Sequence, residues 1–317
     1  MSEKTELPVG EAIIKALVDD RRRDRRWRII RFSLIAAIVL LYAIVLSMHS
    51  SSTYDHVQSG KPYVSLVRLS GVIMPEAHMS ANVVNPVLYK AFTDKNSKGV
   101  LIEMNSPGGS AVQSSLIYDQ IMRLKHAYHK KVVVVGEDAL ASGAYLIASA
   151  ADQIYVDPDT ITGSIGVIMS GFGFTDAIKK IGITRRVLTA GENKDRLDAF
   201  EPLDATDVAK AKQLLNDAHE HFIKDVLAGR KGRLKGDKAV LFSGDFWSGS
   251  RAVQLGLVDG TGSVPSVMHH EFSTEFYKLY EPRLSFLQSL VGSTQEHLSI
   301  PGLHAATTVL AQWSGVS

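Results

Sequence analysis

Residues 132–151 have the sequence VVVVGEDALASGAYLIASAA. The four valines form a β-strand pattern, and the residues from Ala144 to Ala151 form a helical one. Ser142 lies between the two patterns, among small residues. At such a turn a serine can direct its hydroxyl into a crevice while the next N–H groups face the same way, which suits a nucleophile. A serine also caps helices, so this segment alone leaves both interpretations open.

Two further segments bear on Ser142. An apolar strand pattern runs into the turn at 105–109, whose two glycines allow the backbone to approach a ligand closely. Their N–H groups could receive a developing negative charge, although Gly-rich turns between strands and helices are common. The second segment, at 191–195, contains Lys194. A surface lysine is usually solvated, but burial beside a serine would favour its neutral form and let it act as a general base.

Five motifs occur in order along the chain: NSPGG at 105–109, ASGAY at 141–145, TGSIGVI at 162–168, GENKD at 191–195 and LGLVDGTG at 255–262. Each motif is weak alone, and their order is what makes the set specific. The set resembles the signal peptide peptidase family in its short, single-domain bacterial form. The resemblance implies a serine–lysine peptidase with a Clp protease/crotonase-like fold, and it covers roughly residues 60 to 265.

The resemblance also implies a role for five residues. Ser142 matches the nucleophile and Lys194 the general base, two positions that only the fold could bring together. Ser164 matches a serine that hydrogen-bonds the base and holds it in place, although a serine between two glycines is also an ordinary turn residue. Gly109 and Gly143 match the backbone donors of the oxyanion hole. The sequence shows no departure from the family pattern at these positions.

Strand and helix patterns alternate through the chain, which predicts an α/β domain with largely parallel strands and flanking helices. Apolar residues on both faces of the first strand predict that it is covered on both sides. We assign the peptidase domain to 62–275, a linker to 49–61 and a tail without an assigned role to 276–317. The predicted strands are 63–70, 99–104, 132–136, 153–157 and 185–190, and the predicted helices are 110–127, 143–151, 174–181 and 204–228.

Seven arginines crowd residues 21–31, and the charge-free apolar run 32–48 follows. A cleaved secretory signal would have a shorter apolar core and an Ala-x-Ala-like site, and a buried core helix would not carry so many arginines at one end. An uncleaved transmembrane signal anchor at 29–48 fits best. The positive-inside rule then predicts a cytoplasmic basic segment at 1–28 and, in a bacterium, a domain on the periplasmic or outer face of the inner membrane.

Composition excludes little else. Lysine and arginine number 35 against 33 aspartates and glutamates, so there is no general case for nucleic-acid binding. The absence of cysteine agrees with an oxidising compartment without establishing one. His126 and His129 have helical ligand spacing but lack the glutamate of a zinc protease, and His219 and His221 do not share a helix face. We therefore predict no metal and no cofactor.

These observations predict a membrane-anchored serine endopeptidase with a Ser142–Lys194 dyad. The resemblance implies that it degrades remnant signal peptides and other apolar peptides, and that it forms a homo-oligomeric ring. One alternative is a catalytically silent module that binds peptides or membrane proteins on the same fold. Another is an acyl-CoA enzyme of the crotonase group, which an anchor that places the domain outside the cytoplasm disfavours.

Overall fold

The computed structural model describes residues 21, 25–42, 56–58 and 60–282, and the chain divides into two compact units, Met1–Tyr54 and Asp55–Ser317. In the first unit, residues 25–42 form helix α1. Within the described residues, no helix combines the length and apolar character that a bilayer crossing requires. Residues 43–48 of the predicted anchor lie outside the described residues, as does most of the predicted tail, so the anchor stays a prediction.

The second unit alternates strands and helices. Its strands are β1 (Tyr63–Ser70), β2 (Ser97–Ser106), β3 (Lys131–Ala141), β4 (Gln153–Val156), β5 (Ile161–Gly163), β6 (Phe246–Ser248), β7 (Gly260–Thr261) and β8 (Tyr277–Tyr280). Its helices are α2 (Ala81–Thr93), α3 (Ala111–Tyr128), α4 (Gly143–Ser149), α5 (Thr175–Lys180), α6 (Ala205–Gly229), α7 (Lys238–Leu241), α8 (Gly249–Leu255) and α9 (Val264–Phe272).

These strands form one sheet in the order β6-β5-β3-β2-β1-β8, with β4 pairing to β3 and β7. The β5–β6 pair is antiparallel and the other pairs are parallel. The predicted α/β class with a mostly parallel sheet is therefore confirmed. Strand β8 joins β1 although it lies beyond residue 275, so the sheet continues past the assigned end of the domain.

The central strands are buried on both faces, as parallel strands require. Ile102 and Val134 are register partners that enter a large core together with α2, α3 and α4. Their neighbours Leu101 and Val133 point the other way, into a smaller core that α9 covers. Because side chains alternate along a strand, each of these strands contributes apolar side chains to both cores. The prediction that the first strand is covered on both sides is confirmed, since Val67 of β1 lies in the large core and Val64 in the smaller one.

The structure differs from prediction at several elements: one predicted strand is absent, and β5 to β8, α2 and α7 to α9 have no counterpart among the predicted elements. The strand predicted at 185–190 is wrong, because residues 183–189 have no regular structure and Leu188 is fully exposed. The apolar residues Val187 and Leu188 meet no neighbouring strand in the described sheet. Helix α2 was not predicted, since it contains Pro86, a residue that normally interrupts a helix. Burial of the face formed by Val84, Leu88 and Ala91 outweighs that cost.

Asp94 ties the last strand to the first. Its carboxylate accepts hydrogen bonds from Tyr63 at 2.9 Å, from Tyr280 at 2.6 Å and from the Lys278 ammonium at 3.2 Å. Burial opposes ionisation of this carboxyl, but the hydrogen bonds from Tyr280 and Tyr63 outweigh it and lower the pKa of Asp94 to about 2. The ionised form therefore stabilises the junction between α2, β1 and β8.

We expect Asp94→Asn to lower the free energy of unfolding by about 1–3 kcal/mol at pH 7, because it removes a charged acceptor from these donors. The pKa of Asp94 is depressed, so its contribution is present above the unfolded value of about 4 and is lost as the pH falls toward 2. Urea unfolding of both proteins between pH 7 and pH 2 measures the difference. A difference that persists undiminished at pH 2 would contradict this account, and Asp159→Asn, at an exposed site, is the control.

Candidate active site

Ser142 occupies the sharp turn between β3 and α4. Its φ of 53° and ψ of −124° lie outside the regions that L-residues favour, at a cost of about 1–3 kcal/mol. Two backbone bonds hold the turn: the Ser142 N–H donates to the Gly163 carbonyl at 2.8 Å, and the Leu146 N–H donates to the Ser142 carbonyl at 3.0 Å. The strained turn leaves the side chain of Ser142 half-buried at the surface of a cavity.

The glycine turn after β2 lies directly against Ser142. The φ values of Gly108 and Gly109 are 97° and 146°, which favour glycine. A Cβ on Gly108 would lie 2.7 Å from both the Gly143 nitrogen and the Ser142 Cβ, and one on Gly109 would lie 2.1 Å from the Ile73 carbonyl oxygen. Side chains are therefore excluded where the backbone of this turn approaches the serine.

Gly143 also requires the absence of a side chain. A Cβ at this position would lie 2.2 Å from the Ser114 hydroxyl and 3.5 Å from the Gly109 nitrogen. Gly143 is the first residue of α4, so its N–H has no partner within the helix. The fold thus brings the Gly109 and Gly143 amides together beside Ser142, an arrangement that can stabilise an oxyanion.

Ser164 lies one strand away from Ser142. Strand β5 pairs with β3 so that Gly163 faces Ala141, and the chain then turns at Ser164 with a φ of 49°. The Ser164 N–H donates to the Asp245 carbonyl at 2.8 Å. This turn brings Ser164 to the wall of the cavity that Ser142 also lines.

The cavity has a volume of about 1100 Å³, large enough for several side chains of an extended peptide. Its wall combines the four predicted site residues Ser142, Gly109, Gly143 and Ser164 with apolar side chains. The apolar lining includes Val72, Leu116, Leu146, Val167, Ile168 and Phe222. A nucleophile beside backbone donors in an apolar cleft is suited to attack on the carbonyl of an apolar substrate.

Lys194 is not part of this arrangement. It is exposed, and it is not one of the described residues that line the cavity. The backbone N–H of Lys194 donates to the Gly191 carbonyl at 3.2 Å, within a turn that follows the irregular segment at 183–189. The structure therefore brings together four of the five predicted site residues and leaves the predicted base outside.

His219 is a site residue without a predicted role. It projects from α6, lines the cavity, and places its Nε2 3.0 Å from the Ile165 carbonyl oxygen. The only sequence signal was the pair of histidines at 219 and 221, and a crossing of α6 over the Ser164 turn cannot be deduced from them. No group of three or more His, Asp or Glu side chains in the described residues could hold a metal ion.

A second cavity, of about 510 Å³, is lined by residues within β2 and β3 and by the loop after β4, and its lining is acidic. Glu103 and Glu137 are adjacent there, and Arg68 forms an ion pair with Glu103 at 2.6 Å. Burial, followed by the hydrogen bond and charge of Glu103, raises the pKa of Glu137 to about 7. Ser142 does not line this cavity, so it is separate from the candidate active site.

Comparisons with known families agree with this geometry. A family model described as Peptidase family S49 matches residues 125–271, which include Ser142, Ser164 and Lys194. A model described as Clp protease matches residues 58–160, which include Gly109 and Ser142. The two matches overlap across the Ser142 turn and together extend over every strand of the sheet except β8.

Several named proteins are similar to this chain. Protease 4 of Haemophilus influenzae is 30% identical over 274 residues, covering 80% of this chain and 42% of that protein. Serine protease SPPA, chloroplastic, of Arabidopsis thaliana is 28% identical over 214 residues, covering 65% of this chain and 31% of that protein. A Brucella abortus protein named Na(+)/H(+) antiporter NhaA is 44% identical over 230 residues, covering 71% of this chain and 31% of that protein.

The chain spans less than half the length of each of these three relatives. The match covers 31% of the protein with the antiporter name, so that name is not carried over to this chain. The protease names and the Peptidase family S49 match agree with the strained Ser142 turn, the paired glycine amides and the ordered motifs. This chain belongs to the signal peptide peptidase family.

Proposed function

We propose that this protein is a membrane-anchored serine endopeptidase that degrades remnant signal peptides and other apolar peptides through a Ser142–Lys194 dyad. The observation that carries the proposal is the strained Ser142 turn, flanked by the Gly109 and Gly143 amides at the wall of an apolar cavity. The apolar lining supports substrates with apolar side chains, since such a cavity offers them burial from water.

In the proposed reaction, neutral Lys194 accepts the Ser142 proton as the serine oxygen attacks the peptide carbonyl. The Gly109 and Gly143 N–H groups stabilise the oxyanion, where loss of one such donor costs about 3 kcal/mol in a comparable hydrolase. The lysine then protonates the leaving amine, and water hydrolyses the acyl-enzyme. Ser164 orients the lysine by hydrogen bonding.

The exposure of Lys194 calls for a second copy of the chain, which would supply the lysine to the Ser142 cavity. Exposed apolar side chains surround this part of the sequence, as expected of a surface that another protein covers. Ile168 is 89% exposed, Leu188 100% and Leu203 73%. Association through this surface would bury these side chains. Their exposure therefore supports the proposed homo-oligomeric ring, in which two neighbouring chains complete each dyad.

The anchor is part of the same proposal. The described part of the segment, in α1, carries exposed apolar side chains such as Phe32 and Leu41. Arg25, Arg26 and Arg28 lie at the N-terminal end of this helix. We propose that residues 29–48 anchor the chain in the bacterial inner membrane, with the N-terminus in the cytoplasm and the peptidase domain on the periplasmic or outer face.

A catalytically silent peptide-binding module is the second candidate. The observation in its favour is that Lys194 does not line the cavity of its own chain. A module of this kind would bind apolar peptides without turnover, so hydrolysis and covalent labelling of Ser142 distinguish the two functions.

We expect Ser142→Ala to lower peptide hydrolysis at least about a thousandfold, because it removes the nucleophile and leaves the surrounding backbone unchanged. Turnover of an apolar peptide and labelling by a fluorophosphonate, located by mass spectrometry, measure the effect. Ser250→Ala, at an exposed serine on α8, is the matched control and should label and turn over normally. Wild-type chain that binds the peptide but neither cleaves it nor labels would favour the silent module.

We expect Lys194→Ala and Lys194→Arg to be as inactive as Ser142→Ala, since arginine stays protonated and cannot accept the serine proton. Co-expression of Ser142→Ala with Lys194→Ala should nevertheless restore activity. With random mixing, about a quarter of the interfaces in a ring combine an intact serine with an intact lysine. Activity that stays at background in isolated mixed oligomers would place the dyad within one chain.

We expect protease added to intact spheroplasts to digest the domain after residue 50 and to leave residues 1–28 protected. Neutral replacements of the arginines at 21–28 should weaken this orientation, because a segment rich in basic residues stays on the cytoplasmic side of the membrane. Immunoblotting with antibodies to each end measures protection. A mature chain that begins near residue 49 and is released by salt would mean that the apolar run is a cleaved signal.

A further inference from the structure

His219 connects α6 to the turn that carries Ser164. Its Nε2 lies 3.0 Å from the carbonyl oxygen of Ile165, the residue that follows Ser164. A carbonyl oxygen only accepts hydrogen bonds, so the ring must donate from a protonated Nε2. Ile165 is fully buried, and no backbone N–H in the described part of the chain bonds its oxygen. His219 is therefore the group that satisfies this buried acceptor.

The turn that His219 contacts has an unfavourable backbone and needs external support. Gly163 and Ser164 both have positive φ, 91° and 49°. Neighbouring elements hold the turn at three points: Ser142 donates to the Gly163 carbonyl, Ser164 donates to the Asp245 carbonyl, and His219 donates to the Ile165 carbonyl. The first two bonds join backbone groups, and the third is made by a side chain.

We propose that His219 is a positioning residue for peptide hydrolysis, which holds the Ser164 turn through Ile165 and so orients the Ser164 hydroxyl toward the base. This role rests on the proposed function. The ring lines the cavity, but its Nε2 is engaged by a backbone carbonyl and is not available to take the Ser142 proton. The contact needs only a donor at this point, since both the neutral Nε2–H form and the imidazolium can make it.

The test compares three substitutions in the full chain. His219→Leu removes the donor, and we expect kcat to fall about tenfold with little change in KM, the effect of losing one buried hydrogen bond. His219→Gln presents an amide N–H near the former Nε2 and should regain most of kcat with an unchanged pH profile. His219→Asn is equally polar but shorter, so it should behave like His219→Leu. His126→Leu, on the exposed face of α3, is the control.

A second comparison separates positioning from general stability. Because His219 acts through the Ser164 turn, His219→Leu should cost little further activity in a Ser164→Ala background, whereas independent effects would multiply. Thermal unfolding identifies any variant that fails to fold. If His219→Leu fails to fold, the comparison is made between His219→Gln and His219→Asn.

Three results would overturn the role of His219. These are full kcat in His219→Leu, equal loss in the Gln and Leu variants, and multiplicative loss in the double variant. Wild-type chain that neither hydrolyses peptide nor labels at Ser142 would instead remove the proposed function, and with it the reaction in which His219 is proposed to act. Normal labelling of wild-type Ser142 beside an unaffected His219→Leu variant would refute the positioning role alone.

Discussion

The hydrogen bond from the Ser142 amide to the Gly163 carbonyl joins the ends of two parallel strands where the chain must turn most sharply. It is made at the edge where β3 passes into α4 and β5 passes into the Ser164 turn. The bond offsets part of the strain at Ser142 and sets the two serines on one wall. Burial of β3 on both faces holds this edge of the sheet in place, because its valines are divided between the two cores.

The proposed dyad draws on two structurally different parts of the chain, one closely packed and one exposed. The packed part is Ser142 with its two glycine amides, held where a Cβ would collide with neighbouring atoms. The exposed part is the segment around Lys194, which has little regular structure and many apolar side chains in solvent. A single folded chain therefore holds four of the five predicted residues together, and the proposed association of two chains would supply the fifth.

Much of the fold could be predicted because burial on two faces leaves a continuous apolar pattern in β1, β2 and β3. The positions of Ser142, Gly109 and Gly143 follow from motifs at the ends of those strands. The irregular segment at 183–189 could not be predicted, since β-branched residues such as Ile183 and Val187 are typical of a strand and only the missing neighbour reveals the difference. The contact of His219 with Ile165 depends on how α6 crosses the turn, which local sequence does not encode.

The hydrogen bond from the Ser164 amide to the Asp245 carbonyl has a consequence for the order in which the chain can fold during synthesis. Polypeptides emerge from the ribosome N-terminus first, and Asp245 follows both serines by a long stretch of chain. A nascent chain can pair β1, β2 and β3 early. The Asp245 carbonyl that accepts the Ser164 hydrogen bond is missing until α6 and the residues beyond it have emerged. The cleft is thus finished late in translation, after the hydrophobic segment near the N-terminus has long since left the ribosome.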